Sequence, residues 1–183
     1  EGIQARFVYS TDGGITFDKM SRIAHDPDVL AGDARCTFDC SDNLVIYFWC
    51  FDLNSGFDLD NHRSVSRDSG RTFERIAPVD LHMQITSPMY INDDTIIAIY
   101  QERFSDSCGI KAAISTDGGV CFDQENATVI YSASRVPDIK NPYQNFNTYK
   151  FGYSTITKYA PNKGLVVYWS DGEHGIGISA CVL

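Results

Sequence analysis

Ser10-Thr11-Asp12-Gly13-Gly14-Ile15-Thr16-Phe17 returns as Ser66-Arg67-Asp68-Ser69-Gly70-Arg71-Thr72-Phe73, and again as Ser115-Thr116-Asp117-Gly118-Gly119-Val120-Cys121-Phe122. All three copies read Ser-x-Asp-x-Gly-x-x-Phe, and they start 56 and 49 residues apart. A fixed motif at that period marks one supersecondary unit per copy. Turn physics supplies the reason for each residue. The Asp carboxylate can accept hydrogen bonds from backbone N–H groups one to three residues on, and the Gly takes a positive φ that other residues resist. The Phe is expected to re-enter a strand and to pack between neighbouring sheets. One Asp-Gly pair alone reads as an ordinary hairpin turn. Three copies with the same flanking Ser and Phe do not.

The apolar runs around each copy keep one order. A short strand precedes it (Ala5 to Tyr9, His62 to Val65, Ile110 to Ile114), and another is expected to begin at the Phe. Upstream lie longer hairpins: Cys36-Thr37-Phe38 with Leu44 to Phe51, Ser87 to Tyr90 with Thr95 to Gln101, and Tyr153 to Lys158 with Leu165 to Trp169. Their turns, Ser41-Asp42-Asn43, Asn92-Asp93-Asp94 and Pro161-Asn162-Lys163-Gly164, are turn-forming clusters between β-branched and aromatic runs. Four antiparallel strands per period, A to D with the motif between C and D, make an all-β chain of propeller blades. No apolar stretch of helical period exceeds two turns. The repeats fall near residues 5–61, 62–109 and 110–183, within one domain spanning 1–183. Counted in this frame, the chain opens on a C strand, passes two full blades and ends on A, B and a C strand from Gly175 to Leu183. About three blades do not close a ring. The expectation is the C-terminal part of a longer propeller or, failing that, copies that associate to close one. Exposed strand edges favour the former.

The octapeptide and this strand order resemble the Asp-box, or BNR repeat, of the sialidase-like β-propellers, in which the resemblance implies a six-bladed ring. It assigns Asp12, Asp68 and Asp117, Gly14, Gly70 and Gly119, and Phe17, Phe73 and Phe122 to the structural boxes. It also implies that the boxes lie on the rim of one face while substrate binds on the opposite face, on the D-to-A and B-to-C loops. Sialidases use three arginines for the substrate carboxylate, an acid, and a Tyr activated by a Glu. A phenolate approaches an anionic substrate with less repulsion than a carboxylate nucleophile. Phe151-Gly152-Tyr153-Ser154-Thr155-Ile156 resembles the segment bearing that Tyr, so Tyr153 is the nucleophile candidate. Gln101-Glu102-Arg103 resembles a site-edge segment, with Glu102 as base and Arg103 as carboxylate ligand. Arg35 and Arg135 are further ligand candidates, and Asp60, beside Asp58 and Asp106, is the acid candidate. The long connection from Gln124 to Gly152 carries Asn141, Tyr143, Asn145, Asn147 and Tyr149, amides for sugar hydroxyls and rings for sugar faces. Its other reading is a loop that covers the next blade. The arginine-isoleucine-proline segment that opens sialidase domains is absent; Asp33-Ala34-Arg35-Cys36 and Thr86-Ser87-Pro88 match it in part.

Composition sets outer bounds. A net charge of −9 argues against nucleic acid, yet local arginines can hold a carboxylate on an acidic protein. No hydrophobic run reaches membrane-spanning length. His25, His62, His82 and His174 have no metal-ligand spacing, and nothing in the sequence calls for a cofactor. Six cysteines without a C-x-x-C pair leave two readings: a Cys36 to Cys50 bridge across the first hairpin, or buried free thiols. Asn126-Ala127-Thr128 is a glycosylation sequon. An extracellular or cell-surface protein is expected. Two functions stand: a glycoside hydrolase resembling exo-sialidase, and a non-catalytic propeller that binds glycans or a protein partner.

Overall fold

The computed structural model describes residues 5–103, 105–133, 150–161, 163–172 and 175–182, and these form strands, turns and loops without a helix. Two strands, β1 (Ala5–Tyr9) and β2 (Lys19–Ile23), pair around the first box. A four-stranded sheet follows, in the order β3 (Val29–Phe38), β4 (Leu44–Asp52), β5 (Asp58–Ser66), β6 (Ala77–Pro78). The next holds β7 (Gln84–Tyr90), β8 (Ile96–Glu102), β9 (Gly109–Ser115) and β10 (Thr128–Ser132). The last has β11 (Phe151–Ala160), β12 (Lys163–Gly172) and β13 (Gly175–Val182). All pairs are antiparallel, and β3 packs beside β7 and β7 beside β11, so the first strands of successive sheets meet along one line. These are propeller blades.

Period two explains the packing. In β4, Val45 and Tyr47 face the β7–β10 sheet, while Leu44, Ile46, Phe48 and Cys50 face β1–β2. In β8, Ile96, Ala98 and Tyr100 turn to the β3–β6 sheet and Ile99 to the last one. A strand covered on both faces is apolar at every position, which is why Leu44 to Phe51 reads as an unbroken run.

Each box locks itself by a shared scheme. The serine hydroxyl accepts from the Gly amide four residues on, Ser10 from Gly14 at 2.8 Å, Ser66 from Gly70 at 2.8 Å and Ser115 from Gly119 at 2.9 Å, and donates to the Asp. The carboxylate accepts from N–H groups three and four residues on, further than the one to three expected: Ile15 and Thr16 on Asp12, Val120 and Cys121 on Asp117. Thr16 and Thr72 add a hydroxyl bond at 2.6 Å, and Cys121 stands at that position in the third box. These donors hold the Asp68 carboxyl down at about 2 and push Asp12 and Asp117 well below the usual carboxylate range.

The strand after each box does not begin at the Phe. β2, β6 and β10 start at Lys19, Ala77 and Thr128, and the Phe side chains of the second and third boxes pack between blades. Phe73 meets Phe7 edge-on at 5.3 Å, and Phe122 meets Tyr47 at 6.2 Å, while Phe17 is 62% exposed. Ser21 donates to the carbonyls of Gly70 and Arg71, Tyr47 Oη to Gly119 at 3.1 Å, and Arg63 to Gly118. These clasps on boxes two and three come from the blade before, while Gly118 N–H donates to the Asp94 carbonyl of its own blade at 2.9 Å. The cysteine readings also resolve in part. The register sets Cys36 against Ile46 and Cys50 against Ala31, so no Cys36 to Cys50 bridge forms; Cys50 and Cys108 are buried free thiols, as the second reading has it, whereas Cys36, Cys40 and Cys121 are free but exposed. Burial raises the Cys50 thiol to about 12.

Gly14 and Gly119 have φ of +90° and +86°, but only at Gly119 would a Cβ collide with a neighbour, the Tyr47 hydroxyl and Ile96. Gly14→Ala is therefore expected to cost about 1 kcal/mol from backbone strain alone, and Gly119→Ala about 2 kcal/mol or more, read from urea unfolding midpoints. Because the folded box carboxyls titrate below their unfolded value near 4, they stabilise above about pH 4 and that contribution is lost as pH falls toward about 2. Thermal melts across that window should decline more steeply for the wild type than for Asp68→Asn.

Candidate active site

Strand polarity places the boxes and the candidate residues at opposite ends of the sheets. Boxes follow the C-terminal ends of β1, β5 and β9; the opposite end gathers the starts of β3, β7 and β11 and the ends of β4, β8 and β12. At that end a cleft of about 340 Å³ opens between the β3–β6 and β7–β10 sheets, lined by Trp49, Asp58, Leu59, His82, Met83, Gln84, Glu102 and Ser105.

Its walls are fixed by hydrogen bonds. The Trp49 indole N–H donates to Asp58 Oδ1 at 2.9 Å, and Ser105 N–H to Glu102 Oε1 at 3.0 Å. His82 Nδ1 lies 3.1 Å from Asp60 Oδ1, and its backbone N–H reaches Gln124 Oε1 at 2.9 Å. Below it, fully buried Asn61 accepts from Met83 N–H at 3.0 Å and donates to the Phe48 carbonyl at 3.2 Å, pinning the segment that carries His82 and Met83. The result is an indole, two carboxylates and an imidazole–carboxylate pair around open space. Trp49, His82, Gln84 and Asn61 were not sequence candidates. The signal for Trp49 was its place at the end of a B strand, the same end as Glu102.

The sequence candidates divide between two neighbourhoods. Glu102, 8% exposed, faces the cleft, and Asp60 stands beside it through His82. Its chain neighbours point the other way: Gln101 Nε2 donates to Ser154 Oγ at 3.0 Å, and Arg103 Nη2 to the Phe151 carbonyl at 3.3 Å. Alternation along β8 therefore turns Gln101 and Arg103, rather than Glu102, toward the strand that holds Tyr153. Arg103 also donates to Gln84 Oε1 at 3.0 Å and lies 5.8 Å over the Phe151 ring, so this buried guanidinium is a tie between sheets. Gly152 leaves room for it, since a Cβ there would come within 2.9 Å of Arg103 Nη2.

Tyr153 sits in a bulge between Gly152 and Thr155, with φ +47° and 66% exposure. The first hairpin repeats the bulge between Gly32 and Arg35, where Asp33 has φ +42°. Both side chains are thus aimed by a conformation that bulky or branched residues rarely adopt, and such outliers gather at functional sites. Arg35 is half-buried and donates to its neighbour, the Ala34 carbonyl, at 3.1 Å. Asp106 lies in the exposed turn after β8. Arg135 and Tyr149, with Asn141, Tyr143, Asn145 and Asn147, lie outside the described residues.

Comparisons with known proteins agree with the repeat and the fold. A family model described as BNR/Asp-box repeat matches residues 8–19. A search of curated proteins gives no significant match. Among solved structures, a protein of unknown function from Dyadobacter fermentans is 21% identical with a TM-score of 0.66, over 96% of this chain and 44% of that one. The Hadza microbial sialidase Hz136 is 17% identical with a TM-score of 0.60, over 97% of this chain and 34% of that one. An α-L-arabinofuranosidase from Fusarium graminearum, solved with an iminosugar inhibitor, is 15% identical with a TM-score of 0.52, over 86% and 45%. This chain therefore spans less than half the length of each.

Replacing Arg103 by Lys should lower unfolding free energy by about 1–3 kcal/mol, since an ammonium cannot hold Gln84 and the Phe151 carbonyl together. Arg35→Lys should stay within about 0.5 kcal/mol. Equal losses in denaturant titrations of the two variants would contradict these assignments.

Proposed function

From a chain built of Asp-box repeats on the sialidase-like propeller fold, we propose a carbohydrate-active site on the face opposite the boxes. The cleft at Trp49 carries the reading. A rigid indole offers a surface to the C–H face of a sugar, and Asp58, Glu102 and the His82–Asp60 pair offer acceptors and donors to its hydroxyls. Glycan binding is the function this arrangement supports best. Further blades, from the same polypeptide or from an associated copy, complete the ring in this proposal and bring the remaining wall of the site. No helix among the described residues is long and apolar enough to cross a membrane, and a glycan ligand fits an extracellular or cell-surface setting.

Hydrolysis is the second reading, favoured by the strained, exposed Tyr153. In it the Tyr153 oxygen attacks the anomeric carbon as its proton passes to a carboxylate, Glu102 by this assignment, and Asp60 protonates the leaving oxygen. Water then displaces the tyrosyl ether, with the same groups acting in reverse. Because Glu102 faces the cleft and not β11, this step requires the Glu102 carboxylate to turn within hydrogen-bond reach of the Tyr153 hydroxyl, directly or through one water. Terminal sialic acid is the substrate of this reading, with Arg35, Arg103, Arg135 and Tyr149 as its binding partners; Arg103 would have to leave its inward bonds to act.

Calorimetric titration with 3′-sialyllactose and with an arabinofuranosyl oligosaccharide tests both readings. Trp49→Ala is expected to weaken binding roughly tenfold or more. Tyr153→Phe should leave binding intact and, if the second reading holds, abolish release of the sugar. Binding that ignores Trp49→Ala would sink the cleft as the site, and turnover that survives Tyr153→Phe would sink the nucleophile.

A further inference from the structure

A second cleft, of about 360 Å³, lies at the same end of the β3–β6 sheet, lined by Leu30, Gly32, Asp33, Trp49 and Phe51. It falls within the size range of small-molecule sites, roughly 300–1,000 Å³. Trp49 borders this cleft and the first, and its indole is held in place by Asp58 at 2.9 Å. A single fixed ring thus separates two adjacent spaces.

The two spaces differ in chemistry. The first sets two carboxylates, an imidazole, an amide and a hydroxyl beside Trp49, Leu59 and Met83. The second has two aromatic rings, a leucine and one carboxylate, Asp33, at the bulge where φ is +42°. An aromatic wall with one acceptor matches a pyranose or furanose ring, whose C–H face is apolar and whose hydroxyls donate. It matches a purely apolar group less well, because the Asp33 carboxylate would then be desolvated without a donor.

We infer that this second cleft is a subsite for the next sugar of an oligosaccharide, stacked by Trp49 and Phe51 and hydrogen-bonded through a hydroxyl to Asp33. The ligand is then at least two sugars long, and Trp49 is the wall between consecutive units. This inference rests on the glycan reading of the first cleft and assigns the second a ligand of its own.

Calorimetry on this chain separates the two. The probes are methyl α-N-acetylneuraminide against 3′-sialyllactose, and methyl α-L-arabinofuranoside against α-1,5-arabinobiose. The longer member of whichever pair binds is expected to be tighter by about tenfold or more. Asp33→Asn, which accepts a left-handed φ and so keeps the bulge, should remove roughly tenfold of that gain and leave the methyl glycoside unchanged. Leu30→Ser should reduce the gain as well, with melting curves checking that both variants fold. Equal affinity for short and long ligands, or a gain indifferent to Asp33→Asn, overturns the subsite and leaves the first cleft standing. A phenyl glycoside that gains as much as the oligosaccharide, with no effect of Asp33→Asn, also overturns it in favour of an apolar leaving group. Binding of none of the probes overturns both.

Discussion

The structure depends on one steric constraint, a box glycine with no Cβ lying under a side chain of the preceding blade. Gly70 is covered by the Phe7 ring and Gly119 by the Tyr47 hydroxyl, so a methyl group has no space at either. The Asp and Ser bonds inside each box serve that contact: they hold the turn in the left-handed conformation that presents glycine carbonyls outward, where Ser21, Arg63 and Tyr47 donate to them. A box is therefore half of a joint. The first box has the same internal bonds, but among the described residues nothing lies within 4 Å of a Cβ at Gly14, and Ile15, Phe17 and Met20 stand exposed around it.

Fixing the blades at the box end leaves the other end free to carry chemistry. Strands buried on both faces cannot tolerate unpaired polar groups along their length, so charged side chains collect where the sheets run out. The bulges after Gly32 and Gly152 break the pairing there and turn Asp33 and Tyr153 outward, as bulges near functional sites do. The proposed site at this end and rigidity at the other are two results of one architecture.

Much of this was legible in the sequence. The boxes and the four-strand order follow from a motif, a period and a strand direction. What the sequence could not supply was side-chain direction at the strand ends. Glu102 and Arg103 are adjacent, and their spacing does not say which faces the cleft; that follows from the register of β8 against its neighbours, which fixes Gln101 on Ser154. Arg103 was a ligand candidate because Gln101-Glu102-Arg103 resembles a site-edge segment, and in the structure its guanidinium bonds Gln84 and the Phe151 carbonyl. The delayed start of β6 and β10 was hidden for a similar reason: Phe73 and Phe122 pack against the blade before. Asn61 is an anchor of the cleft floor by its burial and its bonds to Met83 and Phe48, which its residue type alone does not announce.

The two tryptophans, Trp49 and Trp169, sit at the same end of different sheets, and their indole N–H resonances report on the two neighbourhoods separately. The most direct measurement is an NMR titration of the isotopically labelled chain with 3′-sialyllactose and arabinobiose, following both indole signals and the amides of Gly14, Gly70 and Gly119. A site on the face opposite the boxes predicts that Trp49 shifts on binding while the box amides stay still. Shifts at the box glycines with an unmoved Trp49 would contradict it.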